Sequence, residues 1–168
     1  MPQTKYTRPV PTYSTGAVTI WLRRCCLAGI GLVTCALAVR WVTMAEAVEL
    51  PFGSDQYLSR GALAAVAGGA VALALLIAYL SRIPRWQVYP AEVTEENAQF
   101  VYREGERALV WLLVALFGVY LGVALSTFGV NGIGLSAVSI FSIPILCFVQ
   151  LARVSNASMR KASGPPET

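Results

Sequence analysis

Four apolar runs divide the chain: Cys25–Ala45, Gly61–Ser81, Ala108–Phe128 and Leu135–Ala152. Roughly 20 apolar residues of helix cross the hydrocarbon core of a bilayer, so each run predicts a span. The pattern as a whole predicts an all-α fold, a four-helix transmembrane bundle. Between the second and third runs, Arg82–Arg107 behaves differently. Pro84 stops the second helix, and Tyr89-Pro90 holds the chain extended. Thr94 reads as an N-cap with Glu95 and Glu96 in the first turn, where the helix dipole favours anions. Asn97 stands where a capping box has Glu or Gln, so the box reads as incomplete. Ala98, Val101, Tyr102, Gly105 and Leu109 then share one helical face, with Glu95, Gln99, Arg103 and Glu106 on the other. This predicts a short amphipathic helix leading into the third span, either continuously or through a bend at Gly105.

Within the spans, small residues recur every fourth position. Ala64, Gly68 and Ala72 form one such row, Ala65 and Gly69 a second, and Gly118 and Gly122 a third. Rows of this kind let helix backbones approach closely in lipid, within a bundle or between protomers. Gly129-Val130-Asn131-Gly132 predicts a tight turn between spans three and four. Pro144 predicts a kink near Ile140, with Ser139 and Ser142 available to the freed backbone groups.

Composition strengthens the membrane reading: 56% of residues are hydrophobic and 13% charged, and the mean hydropathy is +0.60. Charge adds an orientation. Eleven of the 13 Lys and Arg lie in the amino-terminal tail, the second loop or the carboxyl tail. Basic residues near span ends are retained in the cytoplasm, so both termini and the second loop are expected there. The domain organisation is then a flexible cytoplasmic tail over 1–24, a membrane domain over 25–152 and a second cytoplasmic tail over 153–168. The net charge of +4 follows from retention and calls for no nucleic-acid partner. A cleaved signal peptide is not expected, because the first run follows a polar tail and is itself span-length. Trp21, Trp41, Trp86 and Trp111 all fall near span ends, as an aromatic belt requires.

Candidate chemistry is sparse. The chain has four cysteines and no histidine, so zinc and haem lack their commonest ligand and no cofactor is expected. Cys25-Cys26 beside Arg23-Arg24 is a juxtamembrane acylation pattern, although small apolar filler is the commoner role. Arg40, near the outer end of the first span, and Asp55 of the first loop are the candidate ligand or ion-pair groups. Arginines so placed commonly snorkel to headgroups; the alternative for Arg40 is a pair with Glu46 or Glu49, or with an external anion.

The run from Tyr89 to Arg103, with Tyr-Pro-Ala-Glu-Val-Thr-Glu-Glu-Asn-Ala at its core, resembles a tract in small bacterial multi-pass proteins of a domain-of-unknown-function family. That family is related to the membrane part of the sporulation-delay toxin immunity proteins. Trp111 keeps the place of the Trp in the following span. Gly53–Arg60 is similar to the family's outer loop, and the resemblance reaches from Gly53 to about Phe117. Upstream the chain departs from the pattern, lacking the Pro-x-His-Phe-like stretch. The resemblance implies a bacterial plasma membrane and about four spans, and no reaction.

The spans hold no Asp, Glu, His or Lys, so neither a nucleophile with its base nor a proton relay is visible. An enzyme is not expected. The expected role is a non-enzymatic accessory, sensing or immunity protein that sits in the lipid bilayer and acts on another membrane protein or a second copy of itself. A small transporter or channel-like subunit is the alternative. Tyr89, Pro90, Thr94, Glu95, Glu96, Asn97 and Arg103 make up the candidate interaction surface.

Overall fold

The computed structural model describes residues 9–43, 47–49, 57–89, 93–130 and 132–162. The fold is all-α in class, with four long helices: α1 (Ala17–Arg40), α2 (Arg60–Leu80), α3 (Ala98–Thr127) and α4 (Ile133–Ala162). Two three-residue strands, β1 (Ala47–Glu49) and β2 (Tyr57–Ser59), pair antiparallel ahead of α2, with Val48 opposite Leu58. This ribbon was not expected from the apolar runs. Val48 and Tyr57 are strand-favouring residues, but three residues give periodicity too little to act on.

Among the described residues, three helices are long and apolar enough to cross a membrane, over Ala17–Thr43, Arg60–Leu80 and Ala98–Thr127; the apolar part of α4, Gly134–Gln150, is shorter. Most residues of these apolar stretches are not buried within the bundle. Only 17%, 22% and 33% of the three apolar stretches are buried inside the bundle, and Leu32, Val39, Leu75, Phe141 and Phe148 are exposed.

α3 is the central helix. It packs on α1, α2 and α4, while α1 and α2 touch each other little. The main core joins Cys26, Ile30 and Leu37 of α1 to Leu63, Ala74 and Ile77 of α2 and to Leu113, Tyr120 and Ala124 of α3. Phe117 lies across Gly29, where a Cβ would fall 2.6 Å from the ring. The third and fourth helices meet most closely: a Cβ on Gly122 would collide with the Ser136 hydroxyl and reach within 2.9 Å of the Gly132 carbonyl oxygen. Gly118 faces Ser139 in the same way. The Gly118–Gly122 row is therefore used inside the bundle. The rows on α2 are not. Ala64, Ala65, Gly68, Gly69 and Ala72 are all exposed, and nothing lies within 4 Å of a Cβ on Gly68 or Gly69.

Helix ends follow local chemistry. Ser59 caps α2 through its hydroxyl, which accepts from Ala62 N–H at 3.2 Å. α3 ends on Gly129 at φ 74°, with Gly129 N–H donating to Ser126 O and Val130 N–H to Leu125 O, the paired bonds of a Schellman turn. The bounds of α1 and α4 differ from expectation. α1 starts at Ala17, eight residues before the apolar run, so Arg23 and Arg24 are helical. α3 runs unbroken through Gly105, the continuous one of the two expected forms. α4 continues through Pro144 and past Ala152 to Ala162, while the Ser142 hydroxyl donates to Ser139 O at 2.7 Å.

The contrast between used and unused glycines is testable. Gly122→Ala should lower stability in detergent by about 1–3 kcal/mol through overpacking. Gly68→Ala, which meets nothing, should leave the melting temperature unchanged or raise it slightly, since alanine is the better helix former by up to about 1 kcal/mol.

Candidate functional site

Polar chemistry gathers at one end of the bundle, around Glu104-Gly105-Glu106 on α3. A helix turns roughly 100° per residue, so these three consecutive positions address three different neighbours. Glu106 is 3% exposed and points to α1 and the segment before it. Its carboxylate accepts from Arg23 Nη1 at 3.2 Å, from the Tyr13 hydroxyl at 3.0 Å and from the Thr15 hydroxyl at 3.0 Å. Arg23 Nη1 also donates to Ser81 Oγ at 3.2 Å, tying the end of α2 into the same cluster. A buried carboxylate needs this many donors, because desolvation of an unpaired charge costs several kcal/mol.

The segment 9–16, expected as a flexible tail, instead lies along α3. Gln99 clamps it: Oε1 accepts from the backbone N–H of Thr12 and Tyr13 at 2.7 and 3.1 Å, and Nε2 donates to Val10 O at 2.9 Å. The Tyr102 hydroxyl donates to Pro9 O at 3.1 Å. Tyr13 packs beside a second small core of Val93, Ala98, Val101 and Tyr102. Gln99 and Glu106, read in the sequence as part of a solvated face, thus carry the attachment of the amino-terminal segment. On the apolar face of the same helix, Ala98, Val101 and Tyr102 are buried and Gly105 and Leu109 partly so.

Glu104, also 3% exposed, points instead toward α4. Its Oε1 accepts from Arg107 Nη1 at 2.6 Å, while Arg153 Nη1 stands 3.7 Å from Oε2. No hydrogen bond reaches Oε2, nor the buried Oε1 of Gln150. Both residues line a cleft of about 510 Å³, walled by Leu80, Trp86, Tyr89, Ala108 and Cys147. Gly105, between the two glutamates, admits the loop after α2: a Cβ there would fall 2.6 Å from Gln87 Oε1 and 2.7 Å from the Tyr89 ring. Among the described residues, no three His, Cys, Asp or Glu side chains are grouped so as to hold a metal ion.

The residues of the expected interaction surface are split. Thr94, Glu95, Glu96 and Arg103 are exposed. Tyr89 turns inward, donating to Pro84 O at 2.9 Å and to Gln87 Oε1 at 3.1 Å, with its ring 5.8 Å from that of Tyr102. Asn97 Oδ1 accepts from Thr94 N–H at 2.8 Å. The expected cap is displaced: α3 begins at Ala98 with Asn97 as its N-cap and no side-chain cap bond, so Thr94 is not the N-cap and Glu95 and Glu96 precede the first turn. Pro90 and Asp55 lie outside the described residues, as does Glu46. Arg40 donates to Thr43 Oγ1 at 3.0 Å, and its Nε makes no hydrogen bond.

The sequence reading missed Glu104, Gln150, Tyr13, Thr15 and Ser81 as site residues. The available signal was Arg103-Glu104-Gly105-Glu106-Arg107 itself, two acids just ahead of the apolar run that starts at Ala108. No protein-family model matches the chain, and no curated protein or solved structure matches it.

Burial, then the Glu106 carboxylate, raises the pKa of Tyr13 well above its ordinary value, against a smaller opposing pull from Arg23. The folded state thus holds the phenol neutral where the unfolded chain ionises it. Its contribution is complete below about pH 10, the ordinary tyrosine value, and is lost as pH rises from there through the folded-state value. Tyr13→Phe should cost about 1 kcal/mol at pH 7. It should also flatten part of the stability loss above about pH 10, measured as unfolding midpoint against pH.

Proposed function

We propose that the chain is a multi-pass protein of a bacterial plasma membrane with four spans and both termini cytoplasmic. In this reading it works without catalysis, as an accessory, sensing or immunity protein that associates laterally with another membrane helix. The observation that carries the reading is the unused small-residue face of α2. Ala64, Gly68 and Ala72 border an apolar groove of about 490 Å³ between α1 and α2, with Leu37 and Trp41 on the far wall. In lipid, where apolar contact alone does not drive association, such rows matter because they let another backbone come close. Among the described residues, no helix takes that place.

Orientation is supported by charge. The buried cluster at Glu106 and the flanking Arg24, Arg82, Arg85, Arg103 and Arg153 all belong to the basic side of the chain, and short basic loops stay in the cytoplasm. The exposed acids Glu95 and Glu96 on that side offer a docking edge to a cytoplasmic partner. A transporter gains less support: the groove's hydroxyls, Thr34 and Tyr120, are bonded to each other at 2.9 Å.

Crosslinking in native membranes tests the association. A stoichiometric adduct should form through α2 and disappear in Gly68→Ile/Ala72→Ile, a pair that fills the face without touching the core. A chain that stays monomeric at every crosslinker length, or an adduct untouched by those substitutions, would count against it.

A further inference from the structure

We propose that the cleft bounded by the end of α2, the loop after it, α3 and α4 binds the headgroup of a phospholipid bearing a primary ammonium, such as phosphatidylethanolamine. The site rests on the membrane reading above but makes a separate claim. Two acceptors in residues lining the cleft, Glu104 Oε2 and Gln150 Oε1, are buried and accept no hydrogen bond. An unmatched buried acceptor is costly, and a primary ammonium brings three N–H donors.

Charge selects the rest of the headgroup. Glu104 is ion-paired with Arg107 and Arg153, whose side chains are 42% and 58% exposed. Two guanidiniums thus stand within 4 Å of one carboxylate that lines the cleft. A simple cation is opposed by the guanidiniums and a simple anion by the carboxylate. A zwitterion, with its ammonium inward and its phosphate on the arginines, satisfies both.

The position also suits a lipid. The cleft lies where the apolar stretches finish, at Leu80 of α2 and at Gln150 of α4. Trp86 at its edge is 74% exposed, as an interfacial tryptophan is. Leu80, Ala108, Leu109 and Cys147 supply an apolar wall for the first carbons of the acyl chains.

The test removes N–H donors one at a time at constant headgroup charge. Full-length protein is placed in nanodiscs containing phosphatidylethanolamine, its N-methyl and N,N-dimethyl forms, or phosphatidylcholine, and lipid retention is read by native mass spectrometry after release. Retention should fall stepwise, by about tenfold over the series, the equivalent of one charge-assisted hydrogen bond. Gln150→Leu should flatten the series. Equal retention of phosphatidylethanolamine and phosphatidylcholine would overturn the proposal, as would stronger retention of phosphatidylglycerol, which would mean that the arginines alone select. If Gln150→Leu does not fold, the series on the unaltered protein decides by itself. A flat series from a protein that still partitions into membranes would remove the lipid site and leave the membrane reading standing.

Discussion

Burying two carboxylates at the mouth of an apolar helix is the constraint on which the architecture depends. Glu104 and Glu106 are both 3% exposed, and a buried charge is tolerated only when other groups come to it. Each glutamate therefore recruits a different part of the chain. Glu106 draws in Arg23 of α1, Ser81 at the end of α2 through that arginine, and Tyr13 and Thr15 of the amino-terminal segment. Glu104 draws in Arg153 of α4. Gly105 between them lets the Gln87–Tyr89 loop close over the helix. One turn of α3 thus sets the relative position of all four helices at this end.

The opposite trend governs the rest of the bundle. Away from the polar end, helices are held by close backbone approach: Gly29 under Phe117, Gly118 against Ser139, Gly122 against Ser136 and Gly132. Such contacts depend on shape alone. The polar end specifies which helices meet, and the small residues decide how near they come. The exposed row on α2 is the same device without an occupant, which is why it suggests an association surface.

The four helices were legible because 20-residue apolar runs leave little else to be, and the buried face of α3's first turns was legible because Ala98, Val101 and Tyr102 repeat with the helical period. Glu106 was not legible. Its helical position puts it opposite the apolar face of the first turns, so periodicity assigns it to solvent; its burial comes from Tyr13, 93 residues away. The same limit explains the amino-terminal segment, whose polar composition suggests no structure until Gln99 is seen to fill its backbone bonds. Thr94 and Asn97 show a subtler failure. The capping pattern set the helix start at Thr94, but the chain turns once more, with the Asn97 amide accepting from Thr94 N–H, before the helix begins at Ala98. Gly118 and Gly122 were rightly read as packing positions, but no sequence signal distinguished them from Gly68 and Gly69, which meet none of the described residues.

A double-mutant cycle on Arg23 and Glu106 tests the central claim most directly, using Arg23→Met, Glu106→Leu and the pair, with reversible unfolding followed in detergent. Each single change should cost about 3–5 kcal/mol by stranding a buried charge, and the pair should cost far less than their sum. Additivity of the two within about 0.5 kcal/mol would mean that the charges do not meet, and that the polar end of α3 does not organise the bundle.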